Sequence, residues 1–470
     1  MSDSAARARD SLRSTISNRS FGRLARNSRS FSVLVLLNLA AFGLARLTGF
    51  ARETVIADRF GTSHATDAYV AAIALPELMA GIFFGGLIGY TVIPKYVALR
   101  SRGDERGASE LIGAAFNQVL LWCGGATLVG VVFAPWMLSF AAPGLHGDTR
   151  SHAIVILRIT SVSVLLYGLT GLASAILNAR EKFLPVPLGI VAGNLAALAL
   201  LVATAASIGI TAAGIAYVLA ASVTTLILWI LVLGSGGLGR LVLSFRNPRI
   251  GFVVRTGGIA MIVIGLPYFR YVMERAMAST QSTGDVAALG FATRTLFVAA
   301  ALIAMPVGSV VFPRMAREAA EANSRALKRT VGRSLLLVLG LTIPVTALLV
   351  GFSRQLVAIL FEHGAFGTDA TATTASILRL YAIALGGLCL AELLVRVAFV
   401  VRAERTALIC TVATFSLNVG VNFWLIGRLG VEAVAIGASV GIWLNVVLLG
   451  CLLFRRLQTV DGSIAIPEGH

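Results

Sequence analysis

The chain has 470 residues, of which 57% are hydrophobic and only 13% charged, with a mean hydropathy of +0.86 and a formal net charge of +17. A soluble chain carries about 25% charged residues, so a water-facing surface cannot be built from this composition. The sequence is that of an integral membrane protein, with no room for a soluble catalytic domain.

Residues 1–30 hold Arg7, Arg9, Arg13, Arg19, Arg23, Arg26 and Arg29 among serines, with Asp3 and Asp10 as the acids. This predicts a disordered basic tail resting on anionic lipid headgroups. A bilayer crossing takes about 20 apolar residues. Beyond the tail such stretches predict twelve helices, at 31–57, 66–96, 110–140, 152–178, 184–206, 210–234, 251–276, 286–312, 331–352, 372–400, 406–427 and 431–454. A cytoplasmic linker at 235–250 separates an amino-terminal half, 31–234, from a carboxy-terminal half, 251–454, and residues 455–470 form a second cytoplasmic tail.

With an even number of spans, lysine and arginine must fall in alternate loops. On the tail's side lie the tail arginines, Lys95, Arg100, Arg102, Arg106, Arg180, Lys182, Arg240, Arg246, Arg249, Arg314, Arg317, Arg325, Lys328, Arg329, Arg402, Arg405, Arg455 and Arg456. The opposite side has only Arg59, Arg150, Arg275, Arg354 and Arg428. The asymmetry predicts both termini in the cytoplasm and accounts for the basic balance without nucleic acid.

The cysteines Cys123, Cys389, Cys410 and Cys451 sit singly in apolar runs, and the histidines show no paired-ligand spacing. A glycine-rich phosphate loop is also missing. These patterns predict no metal site, no cofactor and no ATP hydrolysis.

Val92-Ile93-Pro94-Lys95 recurs as Val311-Phe312-Pro313-Arg314, with Pro94 and Pro313 219 residues apart. Phe133 with Phe352 repeats that offset; Gly144 with Gly364 gives 220, Arg158 with Arg379 gives 221, and Glu181 with Glu404 gives 223. The fold class predicted is therefore all-α and polytopic, about twelve transmembrane helices in two six-helix pseudo-repeat lobes. An even count per lobe puts both in the same orientation, which points to alternating access around a site between them.

An arginine at the bilayer centre costs from about 3 to over 10 kcal/mol and persists only with a partner or a wet cavity. Arg46 and Arg52 lie six residues apart in the first span, Asp67 opens the second, and Arg294 follows Phe291 in the eighth. One reading is a cationic chamber of unpaired guanidinium groups for an anionic headgroup, with Asp67 holding or releasing an arginine. The other is that Arg46 and Arg52 pair with Asp67, Glu53 or Asp58 and pin helices together. Glu392 and Arg396 are spaced for an intrahelical ion pair, as are Arg270 and Glu274 beside Arg275. Pro76 and Pro306 predict kinks that serve as hinges or as fixed shape. Gly81, Gly85, Gly86 and Gly89 predict close helix packing or room for a bulky ligand.

The segment Arg46-Leu-Thr-Gly-Phe-Ala-Arg52-Glu53, followed by Phe60-Gly61, Ala65-Thr66-Asp67-Ala68 and Leu75-Pro76, resembles the opening of the MurJ/MviN lipid II flippases of the MOP exporter superfamily. Ala134-Pro135-Trp136, Ala142-Pro143-Gly144, Ala175-Ile176-Leu177-Asn178, Ala292-Thr293-Arg294, Phe312-Pro313, Leu360-Phe361-Glu362, Gly364-Ala365-Phe366 and Leu394-Val395-Arg396 extend the likeness over residues 40–450. The resemblance implies a MATE-like flippase that moves an undecaprenyl-diphosphate-linked glycan, lipid II or a similar peptidoglycan precursor, from the cytoplasmic to the periplasmic leaflet of a bacterial inner membrane. It places the cavity arginines at Arg46, Arg52 and Arg294 and the gate at Asp67 and Glu53. The partners implied are the lipid-linked glycan, the bilayer and cell-envelope synthesis enzymes. The drive implied is the membrane potential, with Na+ or H+ coupling left open.

The chain departs from the family pattern in two places. Ala80, Gly81 and Gly85 stand where the resemblance implies a basic pair and then an acid after the Leu-Pro, and the apolar stretches predict twelve spans where the resemblance implies two more. Three alternatives stay open: a flippase for a lipid-linked exopolysaccharide or O-antigen oligosaccharide, a cation-coupled multidrug exporter using Asp67, Glu77 or Glu392, and a non-transporting scaffold.

Overall fold

The computed structural model describes residues 28–82, 96, 99, 103–180, 182–234, 248–321, 323–401 and 403–459, and among them every regular element is helical. The first lobe holds α1 (Ser28–Phe60), α2 (His64–Ala80), α3 (Glu105–Val132), α4 (Ala134–Ala141), α5 (Gly147–Ala179), α6 (Pro185–Ile208) and α7 (Thr211–Gly234). The second holds α8 (Pro248–Ala278), α9 (Asp285–Ala320), α10 (Ser324–Gly351), α11 (Ser353–Phe361), α12 (Thr368–Ala382), α13 (Ala384–Val400), α14 (Glu404–Leu429) and α15 (Glu432–Thr459). Residues 1–27 of the predicted tail, the segment with Gly85, Gly86, Gly89 and Val92–Lys95, the linker 235–247 and residues 460–470 lie outside the described residues.

Eight of these helices are long and apolar enough to cross a membrane, nine if α12 and α13 form one broken span. The other three predicted spans fall on α1, on α2, which covers the described part of the span at 66–96, and on α8; these helices carry Arg46, Arg52, Glu53, Asp67, Glu77, Arg270, Glu274 and Arg275. Two predicted spans are not single rods. The one at 110–140 breaks at Phe133 into α3 and α4, and the one at 372–400 bends by 45° at Ile383. That bend frees backbone carbonyls inside the bundle, where each must find a donor. Ser439 Oγ donates to Leu380 O at 3.0 Å and Trp443 Nε1 to Ile383 O at 2.8 Å, both from α15.

The repeat is visible in the caps. Asp104 accepts from Gly107 N at 2.8 Å to start α3, and Asn323 accepts from Ala326 N at 3.0 Å to start α10. Side-chain oxygens here satisfy amides that a first helical turn leaves unpaired. Phe133 ends α3 and Phe352 ends α10, each closing on the carbonyl four residues back. Gly209 and Gly430 end α6 and α14 with nearly the same dihedrals, φ 60 ψ −148 and φ 58 ψ −144.

Helices in lipid gain no hydrophobic advantage from meeting each other, so small residues and hydroxyls hold them together. Gly193 of α6 lets the Ala220 carbonyl and the Thr224 hydroxyl of α7 approach its backbone, and Thr170 of α5 shares a 2.8 Å hydrogen bond with Thr225 of α7. In the second lobe, Gly437 and Gly441 of α15 receive Asn422 and Asn418 of α14.

The lobes meet tightly at one end. Gly144 sits on the Ser279 backbone and donates to Ser279 Oγ at 3.1 Å; Gly364 sits on the Asp58 backbone, and Ala365 N donates to Asp58 O at 2.7 Å. These two contacts are repeat-equivalents, since Gly144 and Gly364 are 220 residues apart and Asp58 and Ser279 are 221. Below them Phe361 packs on Phe50, Phe291 and Phe366 at centroid distances of 5.4, 5.1 and 5.8 Å, joining α1 to α9 and α11.

Candidate functional site

One turn beyond Phe50 along α1, a row of alternating charges crosses the interface. Arg52 Nη2 donates to Glu53 Oε1 at 3.0 Å, and the same carboxylate oxygen pairs with Arg294 Nη1 of α9. Arg294 Nη2 lies 3.6 Å from Glu77 Oε1 of α2, and Glu77 Oε2 accepts from Arg275 Nη1 of α8 at 3.0 Å. The order is Arg52, Glu53, Arg294, Glu77, Arg275, three guanidinium groups to two carboxylates. The interlobe hydrogen bonds from Gly144 to Ser279, Arg275 to Glu77, Gly284 and Ala287 to Asp67, and Ala365 to Asp58, with the His64–Thr283 contact, lie at this ladder or between it and the loop end just described.

Burial explains why the charges alternate. Arg52 is 9% exposed and Glu53 4%, and an uncompensated ion at that depth costs several kcal/mol. Arg52 also lies 5.5 Å from the ring centroid of Tyr217. Its Nε and the hydroxyl of Tyr69, both buried, have no hydrogen-bond partner among the described residues. These two donors point to capacity for a further acceptor at the first-lobe end of the ladder.

Of the two readings the sequence leaves open, free guanidinium groups or groups paired with a carboxylate, Arg52 follows the second, on Glu53, and the expected unpaired state of Arg52 and Arg294 is corrected. Arg52 and Arg294 share Glu53 because two buried cations from opposite lobes need a common counter-charge. Asp67 does not hold an arginine. Its Oδ2 accepts from Gly284 N at 2.6 Å and its Oδ1 from Ala287 N at 2.8 Å, capping α9 of the other lobe, where the free amides and the helix dipole favour an anion. Arg46 is exposed and lies within electrostatic reach of Tyr268 of α8. Arg275, assigned from loop counting to the far-side loop, is 7% exposed inside the ladder. Its spacing alone could not reveal that Glu77 stands opposite.

The remaining predicted residues fall elsewhere. Glu392 and Arg396 form an i,i+4 pair at 2.5 Å on α13, with the Arg396 head against Gly308 of α9. Arg270 and Glu274 pair at 2.5 Å, and Tyr381 of α12 donates its hydroxyl to Glu274, so this cluster stays within the second lobe. α2 runs through Pro76 into a π-helical turn at Gly81 and Ile82, and α9 runs through Pro306 unbroken. Gly81 receives the ring of Tyr268.

Two pseudo-equivalent helical lobes that close on a row of buried charges are the architecture on which multi-pass membrane transporters are built. The sequence profile described as lipid II flippase MurJ matches residues 56–466. The chain belongs to the MurJ lipid II flippase family. It is 25% identical over 435 residues to the lipid II flippase MurJ of Burkholderia cenocepacia, an alignment covering 90% of this chain and 83% of that protein. A solved lipid II flippase MurJ in an inward closed conformation superposes with a TM-score of 0.76 at 20% identity, covering 91% of this chain and 90% of that one. An inward-facing multidrug resistance MATE transporter of the MOP superfamily gives 0.77 at 15% identity, covering 92% and 100%.

Proposed function

We propose that the chain flips an undecaprenyl-diphosphate-linked glycan, lipid II or a close peptidoglycan precursor, from the cytoplasmic to the periplasmic leaflet of a bacterial inner membrane by alternating access. The observation that carries this is the sharing of Glu53 by Arg52 and Arg294, one cation from each lobe, beside the donors Arg52 Nε and Tyr69 Oη, which have no hydrogen-bond partner among the described residues. A diphosphate offers several acceptor oxygens and more negative charge than one carboxylate, and guanidinium groups bind phosphate through paired hydrogen bonds. Arg46, further along α1, meets the head as it approaches. The polyprenyl tail stays in lipid.

The loop charge count assigns the tightly packed end, with Asp58, Gly144, Ser279 and Gly364, to the periplasmic side and both termini to the cytoplasm. Asp67 and the loop contacts then act as the periplasmic gate, and access alternates as this end opens and the other closes. With the cytoplasm negative, outward movement of an anion is favoured by about 2.3 kcal/mol per charge per 100 mV. A doubly anionic head then needs no ATP, and Na+ or H+ coupling would add to the same drive. A cationic drug is a poor cargo for a ladder in which arginines outnumber glutamates.

Leaflet-resolved measurement of lipid-linked glycan in cells depleted of the protein tests this reading. Accumulation of the precursor in the inner leaflet, relieved by the wild-type chain and not by Arg52→Ala at equal protein level, is the expected result. Accumulation of a different lipid-linked oligosaccharide would reassign the glycan. Normal leaflet distribution would end the flippase reading.

A further inference from the structure

Glu77 differs from the other acid of the ladder in two respects. Its side chain is 33% exposed, whereas Glu53 is 6% and Arg294 15%. Both its partners, Arg275 and Arg294, lie on the second lobe, whereas Glu53 also touches Arg52 of its own helix. Separation of the lobes on this side breaks both ion pairs that Glu77 makes among the described residues. Its two oxygens each face a different guanidinium, the arrangement that two oxygens of a phosphate would adopt.

We propose that Glu77 is a built-in counter-ion occupying the place of the substrate's phosphate, and that Arg275 is a further cationic ligand exposed when the diphosphate displaces it. The proposal rests on the flippase reading and deepens it. With no cargo, Glu77 supplies the counter-charge to Arg275 and a second one, beside Glu53, to Arg294, and fastens α2 to α8 and α9. When the head arrives, its oxygens take over both guanidinium groups, Glu77 is released toward the cavity, and a lobe-to-lobe fastening is lost in the same event. Binding and opening are thereby coupled, because the anion favours the arrangement in which Glu77 has let go. The other charges facing this position are Arg52 and Glu53, which stay paired with each other.

The test uses the full chain purified in detergent and titrated with undecaprenyl diphosphate, with undecaprenol as the control that keeps the tail and lacks the phosphates. Lobe separation is read by spin labels at His152→Cys and Asp369→Cys, both exposed, in a Cys451→Ser background that removes the exposed native thiol. Glu77→Gln should bind undecaprenyl diphosphate about tenfold more tightly, about 1.4 kcal/mol, and lengthen the ligand-free interlobe distance. Arg275→Gln should bind about tenfold more weakly, and neither change should affect undecaprenol. Glu77→Asp, which keeps the charge, should stay close to wild type; if it behaves like Glu77→Gln, the effect is one of shape and the proposal is overturned. Wild-type affinity in both Glu77→Gln and Arg275→Gln, with loss of binding in Arg294→Gln, would overturn this inference and leave the flippase reading standing. Wild-type affinity in Arg52→Ala and Arg294→Gln as well would remove the flippase reading itself.

Discussion

Glu53 and Glu274 stand 221 residues apart on repeat-equivalent helices, yet Glu53 pairs across the interface with Arg294 while Glu274 pairs inside its own lobe with Arg270 and Tyr381. The same carboxylate position has thus been used once to join lobes and once to stiffen one. The pseudo-symmetry of the backbone is not carried into the chemistry of the interface.

Removing the shared carboxylate should be costly. Glu53→Gln leaves Arg52 and Arg294 buried against one another, and breaking a buried pair costs about 3–5 kcal/mol. A large drop in the melting temperature of the purified protein is expected, and Glu53→Gln combined with Arg294→Gln should recover much of it. Equal melting of the single and double variants would contradict the shared-counter-ion reading.

The second-lobe cluster should separate from transport. Tyr381→Phe removes the hydroxyl that donates to Glu274 and should lower stability by about 1–3 kcal/mol with no change in affinity for undecaprenyl diphosphate. Thermal melting and the same titration, run side by side, give both readouts. A loss of affinity would place this cluster in the binding path.

Asp67 should act as a cap. Asp67→Asn keeps one acceptor oxygen and loses the charge at the α9 N-terminus, a change of about 0.3–1 kcal/mol; Asp67→Ala removes both hydrogen bonds and should cost about 2 kcal/mol. Hydrogen exchange at the amides of Gly284 and Ala287 should rise in the order wild type, Asn, Ala. Unchanged exchange in Asp67→Ala would refute the cap.

Gly364 should control the loop end. Its φ of +55 is a left-handed conformation, and a Cβ there would run into the backbone of Asp58. Gly364→Val should therefore add about 1–2 kcal/mol of backbone strain as well as the collision, loosening this end. Faster reaction of a Ser63→Cys probe with a membrane-impermeant thiol reagent would register that loosening.

Composition and periodicity were enough to determine an all-helical membrane protein, helices wherever the described residues cover the predicted spans, and the presence of a repeat, because bilayer crossing and helix capping are local demands met by local residues. Phe133 with Phe352 is an example: two residues matched only by offset turned out to be the same helix break. Motif likeness likewise pointed to Arg52, Arg294 and Glu53. What the chain order could not contain is who meets whom across the interface. Glu77 and Arg275 are 198 residues apart, Asp67 found backbone amides instead of a guanidinium, and neither outcome has a sequence signature. Only the docking of the two lobes decided them, since a buried charge selects its partner by proximity in space and by the cost of remaining alone.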